Sequence, residues 1–142
     1  MTEPEQERPI LLVLDASAIQ AYGAHETVGQ IIGDVDDDGG WVALPSACLA
    51  EALASGVDPA MLDLLRGHIA CREVTSTSDW EALGRFMNLT RSADGLHDLD
   101  DADVTMLAVR SGAYILTDHP ARYTAIFSGV SSIQLEEPLL IS

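Results

Sequence analysis

A chain of 142 residues with 47% hydrophobic content has the size and apolar fraction of one globular domain with a single core, and little is left for a second. Its formal net charge is −16, from 23 acidic residues against seven arginines and no lysine, a field that repels polyanions unless cations or a basic partner intervene. No apolar run approaches the roughly 18–20 uncharged residues of a membrane span, and Cys48 and Cys71 lack the spacing of a disulfide scaffold or thiolate metal site. The chain therefore reads as a cytoplasmic protein with reduced, packed thiols.

MTEPEQERP, residues 1–9, reads as a short disordered acidic segment ahead of a single domain spanning residues 10–142. Ile10–Leu14 is a continuous aliphatic run, the pattern of a strand buried on both faces. Helices are predicted over 17–24 and 26–32, with Gly33 as a stop and DVDDDGG as a loop. Trp41–Leu44 is a short extended piece, and Pro45 and Ser46 open an Ala- and Leu-rich helix ending near Ser55. Asp58 and Pro59 start a further helix that ends near Gly67. A strand over 68–74, a loop over 75–78 and a helix over 79–88 follow. After SADGLHDL a longer helix covers about 100–111, and Gly112 terminates it. Ala113–Thr117 is a strand, His119–Phe127 a short helix, and Ser132–Leu135 a last strand. Strands alternating with helices imply βαβ units and an α/β fold with a parallel sheet of four to five strands, helices covering both faces as a three-layer α/β/α sandwich.

Three carboxylates stand where apolar sequence surrounds them. Asp15 is the one formal charge between Pro9 and Ala24, Glu51 the one between Trp41 and Val57, and Asp118 the one between Ser111 and Ala121 with His119 neutral. A buried carboxylate without a partner costs several kcal/mol, so such groups are paired, bound to metal or kept at a wet cleft. With no lysine in the chain, a bound cation is the natural partner. Ligands of open parallel sheets sit beyond the carboxyl ends of the strands, where Asp15 and Asp118 both fall. In DLDDADVTMLAVRSG, helical spacing places Asp101 on the stripe of Val104, Thr105 and Ala108, facing inward, and Asp103 on the more peripheral stripe of Met106, Leu107 and Arg110. The other acids there suit a helix start. Ser17 and Thr117 either donate to the neighbouring acids or cap local backbone.

DVDDDG, residues 34–39, imitates the first half of an EF-hand calcium loop, but the position of the bidentate Glu is Pro45. No Walker motif, GxGxxG, GxSxG or HxxxH spacing is present. Phosphoacceptor domains and haloacid dehalogenase-like phosphatases use clustered strand-end acids too, but they need a lysine. The DxDxT pattern is also unmet by Asp15, Ser17 and Ile19.

VLDASAIQAY, LPSACLAEAL and DDADVTMLAVRSGAYILTDHPARY, in that order and spacing, resemble the PIN domain, particularly the VapC-type toxins of bacterial toxin–antitoxin pairs, from Ile10 to about Ile133. The resemblance implies a PIN-like fold with an acidic pocket at the strand ends, Mg²⁺ or Mn²⁺ as cofactor, and ribonuclease activity. Carried over by position, Asp15 matches the first acid, Glu51 the second and Asp101 the third. The fourth place, two residues after the strand-end Thr117, holds His119, while Asp118 stands one residue early. Either residue completes the site, and an imidazole there would shift preference from Mg²⁺ toward Mn²⁺. The chemistry implied is hydrolysis of RNA phosphodiesters by a cation-activated water, with Asp15, Glu51, Asp101 and Asp118 catalytic and metal-binding, and Ser17, Thr117, His119 and Asp103 in support. The family also implies a small antitoxin partner that inserts an arginine into the pocket, and assembly as a homodimer or a hetero-oligomer with that partner. The competing expectation is a catalytically weakened member of the same fold that acts as a protein-binding module.

Overall fold

Short β-branched and aliphatic runs recur along the chain, and in the computed structural model, which describes residues 8–75 and 79–135, five strands pair side by side. The strands are β1 (Ile10–Leu14), β2 (Trp41–Pro45), β3 (Cys71–Val74), β4 (Tyr114–Thr117) and β5 (Ser131–Gln134). All four pairings are parallel, and the sheet order is β3-β2-β1-β4-β5. The helices are α1 (Ala16–Ala21), α2 (Glu26–Asp37), α3 (Ser46–Ala54), α4 (Pro59–Arg66), α5 (Trp80–Leu89), α6 (Leu99–Ser111) and α7 (Ala121–Thr124). The α/β class and the five-stranded parallel sheet thus follow the sequence pattern.

In β1, Leu12, Val13 and Leu14 are all buried. Successive side chains of a strand point to opposite faces, so burial of all three means that helices cover both faces of the sheet. The chain runs from β1 to β2 and β3 on one side and returns through α6 to β4 and β5 on the other. The reversal falls between β1 and β4, the crevice where open parallel sheets bind ligands.

Three local expectations are corrected. Gly33 does not stop α2, which continues to Asp37, because Val28, Ile32 and Val35 form one buried stripe that the last turns complete. Gly39, with φ 76°, turns the chain instead. DVDD is therefore helical and no calcium loop exists there. Trp41–Pro45 is a full inner strand paired on both sides, and a Cβ at Gly40 just before it would collide with the Leu11 side chain. The strand expected over 68–74 shrinks to β3, since residues 68–70 are taken up in a turn closed by Cys71 N–H donating to the His68 carbonyl.

Arg8 pairs with Asp36 at 3.1 Å and the Pro9 carbonyl accepts from Trp41 N–H. The rest of the expected acidic N-terminal segment, and three of the four residues of the loop over 75–78, lie outside the described residues. Among the described residues, no helix is long and apolar enough to cross a membrane. Cys48 and Cys71 are free and buried, as the sequence implied.

Candidate functional site: an acidic cleft at the strand ends

Asp15 follows β1 directly and serves as the N-cap of α1, its Oδ1 accepting from Ala18 N–H at 3.0 Å and from the Ser17 hydroxyl at 2.6 Å. Its Oδ2 accepts from the Tyr123 hydroxyl at 2.6 Å. The carboxylate is 1% exposed, and three donors satisfy what would otherwise be a costly buried charge. Ser17 has both roles the sequence left open, since its Oγ also accepts from Asp118 N–H at 3.0 Å and so ties the end of β4 to the end of β1. Thr117 caps backbone: it is fully buried and its Oγ1 accepts from His119 N–H at 3.1 Å.

Glu51 projects from α3 toward the first turn of α6. It is exposed and shares a cavity with Asp100, and its pKa is raised by partial burial first and then by Asp100 and Asp101, with Arg122 opposing. Asp101 is half-buried, and burial together with Asp100, Asp98 and Asp15 pushes its carboxyl up to about 6 against the pull of Arg122. Carboxyl groups from β1, α3 and α6 thus share one field, although 36 and 50 positions separate them along the chain. The Cys48 thiol lies beneath, pushed up by burial and by the charges of Asp15, Asp100, Glu51 and Asp103.

Besides the Ser17 hydroxyl of α1, one cation and one hydroxyl that offset these acids come from α7. Arg122 Nε stands 3.9 Å from Asp101 Oδ2, and Tyr123, next along the chain, reaches Asp15. Burial, Asp15 and Asp101 raise the Tyr123 hydroxyl, which stays protonated and remains a donor. Sequence reasoning missed Arg122, Tyr123 and Asp100. Tyr123 sat in plain view in TDHPARY, but nothing in local spacing tells which residue of a four-residue helix turns inward.

Asp103 is not peripheral. It is 3% exposed and lines a cavity of about 450 Å³ with Ala47, Ala50, Glu51, Leu99 and Asp100. The stripe argument assumed one buried face for α6, but the helix lies between the sheet and α5, and residues 102–108 are all buried. Asp118 is exposed and lines a different cavity, of about 260 Å³, with Ser17, Gln20, Ala21, Ala24, His25 and Leu135. His119 is also exposed. The structure therefore sets Asp15, Glu51 and Asp101 in one electrostatic neighbourhood, adds Asp100, and gives Asp118 to a different cavity.

Among the described residues, no group of three or more His, Cys, Asp or Glu side chains forms a ready metal cage. The donor set is nonetheless all carboxylate, the chemistry of a hard cation, and Mg²⁺ keeps most of its waters and uses one or two carboxylates instead of an all-protein cage. Glu51 and Asp101 at the mouth fit that mode of binding. Asp15, 1% exposed and with three of about four acceptor positions taken, stands behind them as a fixed negative charge.

No protein-family model matches the chain, and no curated protein matches it. What the fold and the cleft define is a five-stranded parallel α/β protein with acids gathered at the strand ends, an architecture consistent with a PIN domain and not specific to it.

Proposed function

We propose that the cleft is a divalent-cation site for hydrolysis of RNA phosphodiesters, and that the chain is a PIN-like ribonuclease. The observation that carries this reading is the convergence of Asp15, Glu51 and Asp101 at the carboxyl end of the sheet. These are the three acids that the resemblance to PIN domains carries over, and isolation in apolar sequence had independently marked two of them.

Glu51 and Asp101 would hold a Mg²⁺ or Mn²⁺ ion at the mouth, with the Asp15 carboxylate behind them. When bound, the ion lowers the pKa of a water and draws charge from the phosphoryl oxygen. Ser17, Ala18 and Tyr123 fix the Asp15 carboxylate in one orientation. The Glu51 carboxyl faces Asp100 and Asp101, and partial burial and then these neighbours raise its pKa, so a bound cation at the mouth would offset their mutual repulsion. Ala47, Ala50 and Leu99 line the same cavity as Glu51, Asp100 and Asp103. A cation held there would offset the negative field by which a chain of net charge −16 repels RNA. A small antitoxin partner, and a homodimer or hetero-oligomer with it, belong to this proposal through the resemblance alone.

The test is cleavage of end-labelled RNA by the purified chain with Mg²⁺, with Mn²⁺ and with chelator. Cleavage that needs metal and disappears in Asp15→Asn is expected, and no cleavage with either ion would sink the reading. The second reading, a non-catalytic PIN-like module that binds protein, is favoured by the placement of Asp118 outside the cleft and of Arg122 within it.

A further inference from the structure

Seven arginines serve a chain with 23 acidic residues, and most are engaged away from the cleft. Arg8 pairs with Asp36, Arg66 with Asp63 and Glu73, Arg85 with Glu81 and Arg110 with Asp79, while Arg72 lies over the Trp41 ring. Arg122 is different. Its carboxylate partner is Asp101, and Asp15 and Tyr123 also act on it.

We propose that Arg122 is the resident counter-cation of the acidic cleft, and that a divalent ion competes with it for Asp101. Three features of the geometry argue for this. Tyr123 is buried and bonded to Asp15, so α7 is pinned and the neighbouring Arg122 is carried to the cleft without a choice of site. The guanidinium stands at 3.9 Å, beyond hydrogen-bond length, so it offsets charge without being locked to Asp101. The Arg122 side chain is 43% exposed against 18% for Asp101, so it lies at the mouth and can turn to solvent without opening the core. A monovalent cation a few Å from a divalent one in a partly wet site weakens binding of the ion by about tenfold or more. By linkage, the ion weakens the hold of Asp101 on Arg122 to the same degree.

The inference rests on the reading of the cleft as a cation site, and the experiment separates the two. Mn²⁺ is titrated calorimetrically into the wild type, Arg122→Gln and Asp101→Asn. Urea unfolding of the two single variants and the double variant is followed in chelator at low salt. The expected result is about tenfold tighter Mn²⁺ binding by Arg122→Gln than by the wild type, together with a destabilisation of metal-free Arg122→Gln that vanishes in the Asp101→Asn background. Equal or weaker Mn²⁺ binding by Arg122→Gln, with the wild type binding, overturns the competition and leaves the cation site standing. Failure of both proteins to bind Mn²⁺ overturns the competition and the site together. Additive effects in the metal-free cycle overturn the counter-cation role whatever the metal does.

Discussion

The Tyr123 hydroxyl donates to Asp15 Oδ2 at 2.6 Å across 108 positions of sequence, and both side chains are buried. A helix of four residues thereby holds the carboxylate that ends the central strand. Tyr123→Phe leaves that buried charge one donor short, and a loss of ~1–3 kcal/mol in unfolding free energy is expected. Tyr114→Phe, at an exposed position of β4, changes stability by less than about 0.5 kcal/mol. Urea midpoints at pH 7 compare the two, and equal midpoints would deny the hydrogen bond any structural weight.

Asp101 gives a pH dependence of unusual sign. Its folded pKa of about 6 lies above the ordinary carboxylate value, chiefly through burial, so the folded state holds a proton that the unfolded chain releases. The stability this contributes is complete below about pH 4 and is lost as pH rises through about 6. In chelator, Asp101→Asn is expected to be more stable than the wild type at pH 7.5 by ~2 kcal/mol, after allowance for partial exposure, and indistinguishable from it near pH 4. A difference that does not grow with pH would show that Asp101 is not under this strain.

Activity should divide the acids by their place in the cleft. Asp15→Asn, Glu51→Gln and Asp101→Asn are each expected to lower metal-dependent RNA cleavage by about a hundredfold or more, with Asp118→Ala and His119→Ala leaving the rate unchanged. Asp118 lines one cavity with Gln20 and His25, and Glu51 lines another. Loss of cleavage in Asp118→Ala at unchanged stability would return it to the site.

The thiols report on opening of the core. Burial pushes Cys71 up to about 12 and Cys48 higher still, with Asp15 adding to the rise at Cys48. Both are neutral in the folded protein at pH 8, so alkylation is expected only at the rate of unfolding. Because both folded pKa values exceed those of the unfolded chain, the stability they carry is complete below about pH 8.5 and falls as pH rises toward 12. The slope is up to about 1.4 kcal/mol per pH unit for each thiol. Rapid labelling of the folded protein at pH 8 would contradict the burial.

The candidate acids were legible to different degrees. Asp15 could be found because charge inside apolar sequence is rare and burying it is costly, which is a one-dimensional signal, whereas Glu51 gave the same signal and is exposed. Asp118 gave the same signal and lies elsewhere, since a strand-end side chain faces one side or the other according to how the chain turns after it. Asp101 is half-buried and stands beside Arg122, but it is less buried than Asp103. Asp103 was misread because the period of a helix tells how many residues share a face, not how many faces are covered.

By itself the sequence determined the parallel α/β class, the order of elements, and the delivery of carboxylates to strand ends, because hydrophobic runs, caps and breakers act over a few residues. Tertiary structure alone decided that Asp100 joins Glu51, that Asp103 is buried, that Trp41–Pro45 is an inner strand, and that Arg122 and Tyr123 balance the cleft. Each of these depends on which surfaces meet when α3, α6 and α7 pack around the end of β1. Such contacts join residues dozens of positions apart, and no local pattern encodes them.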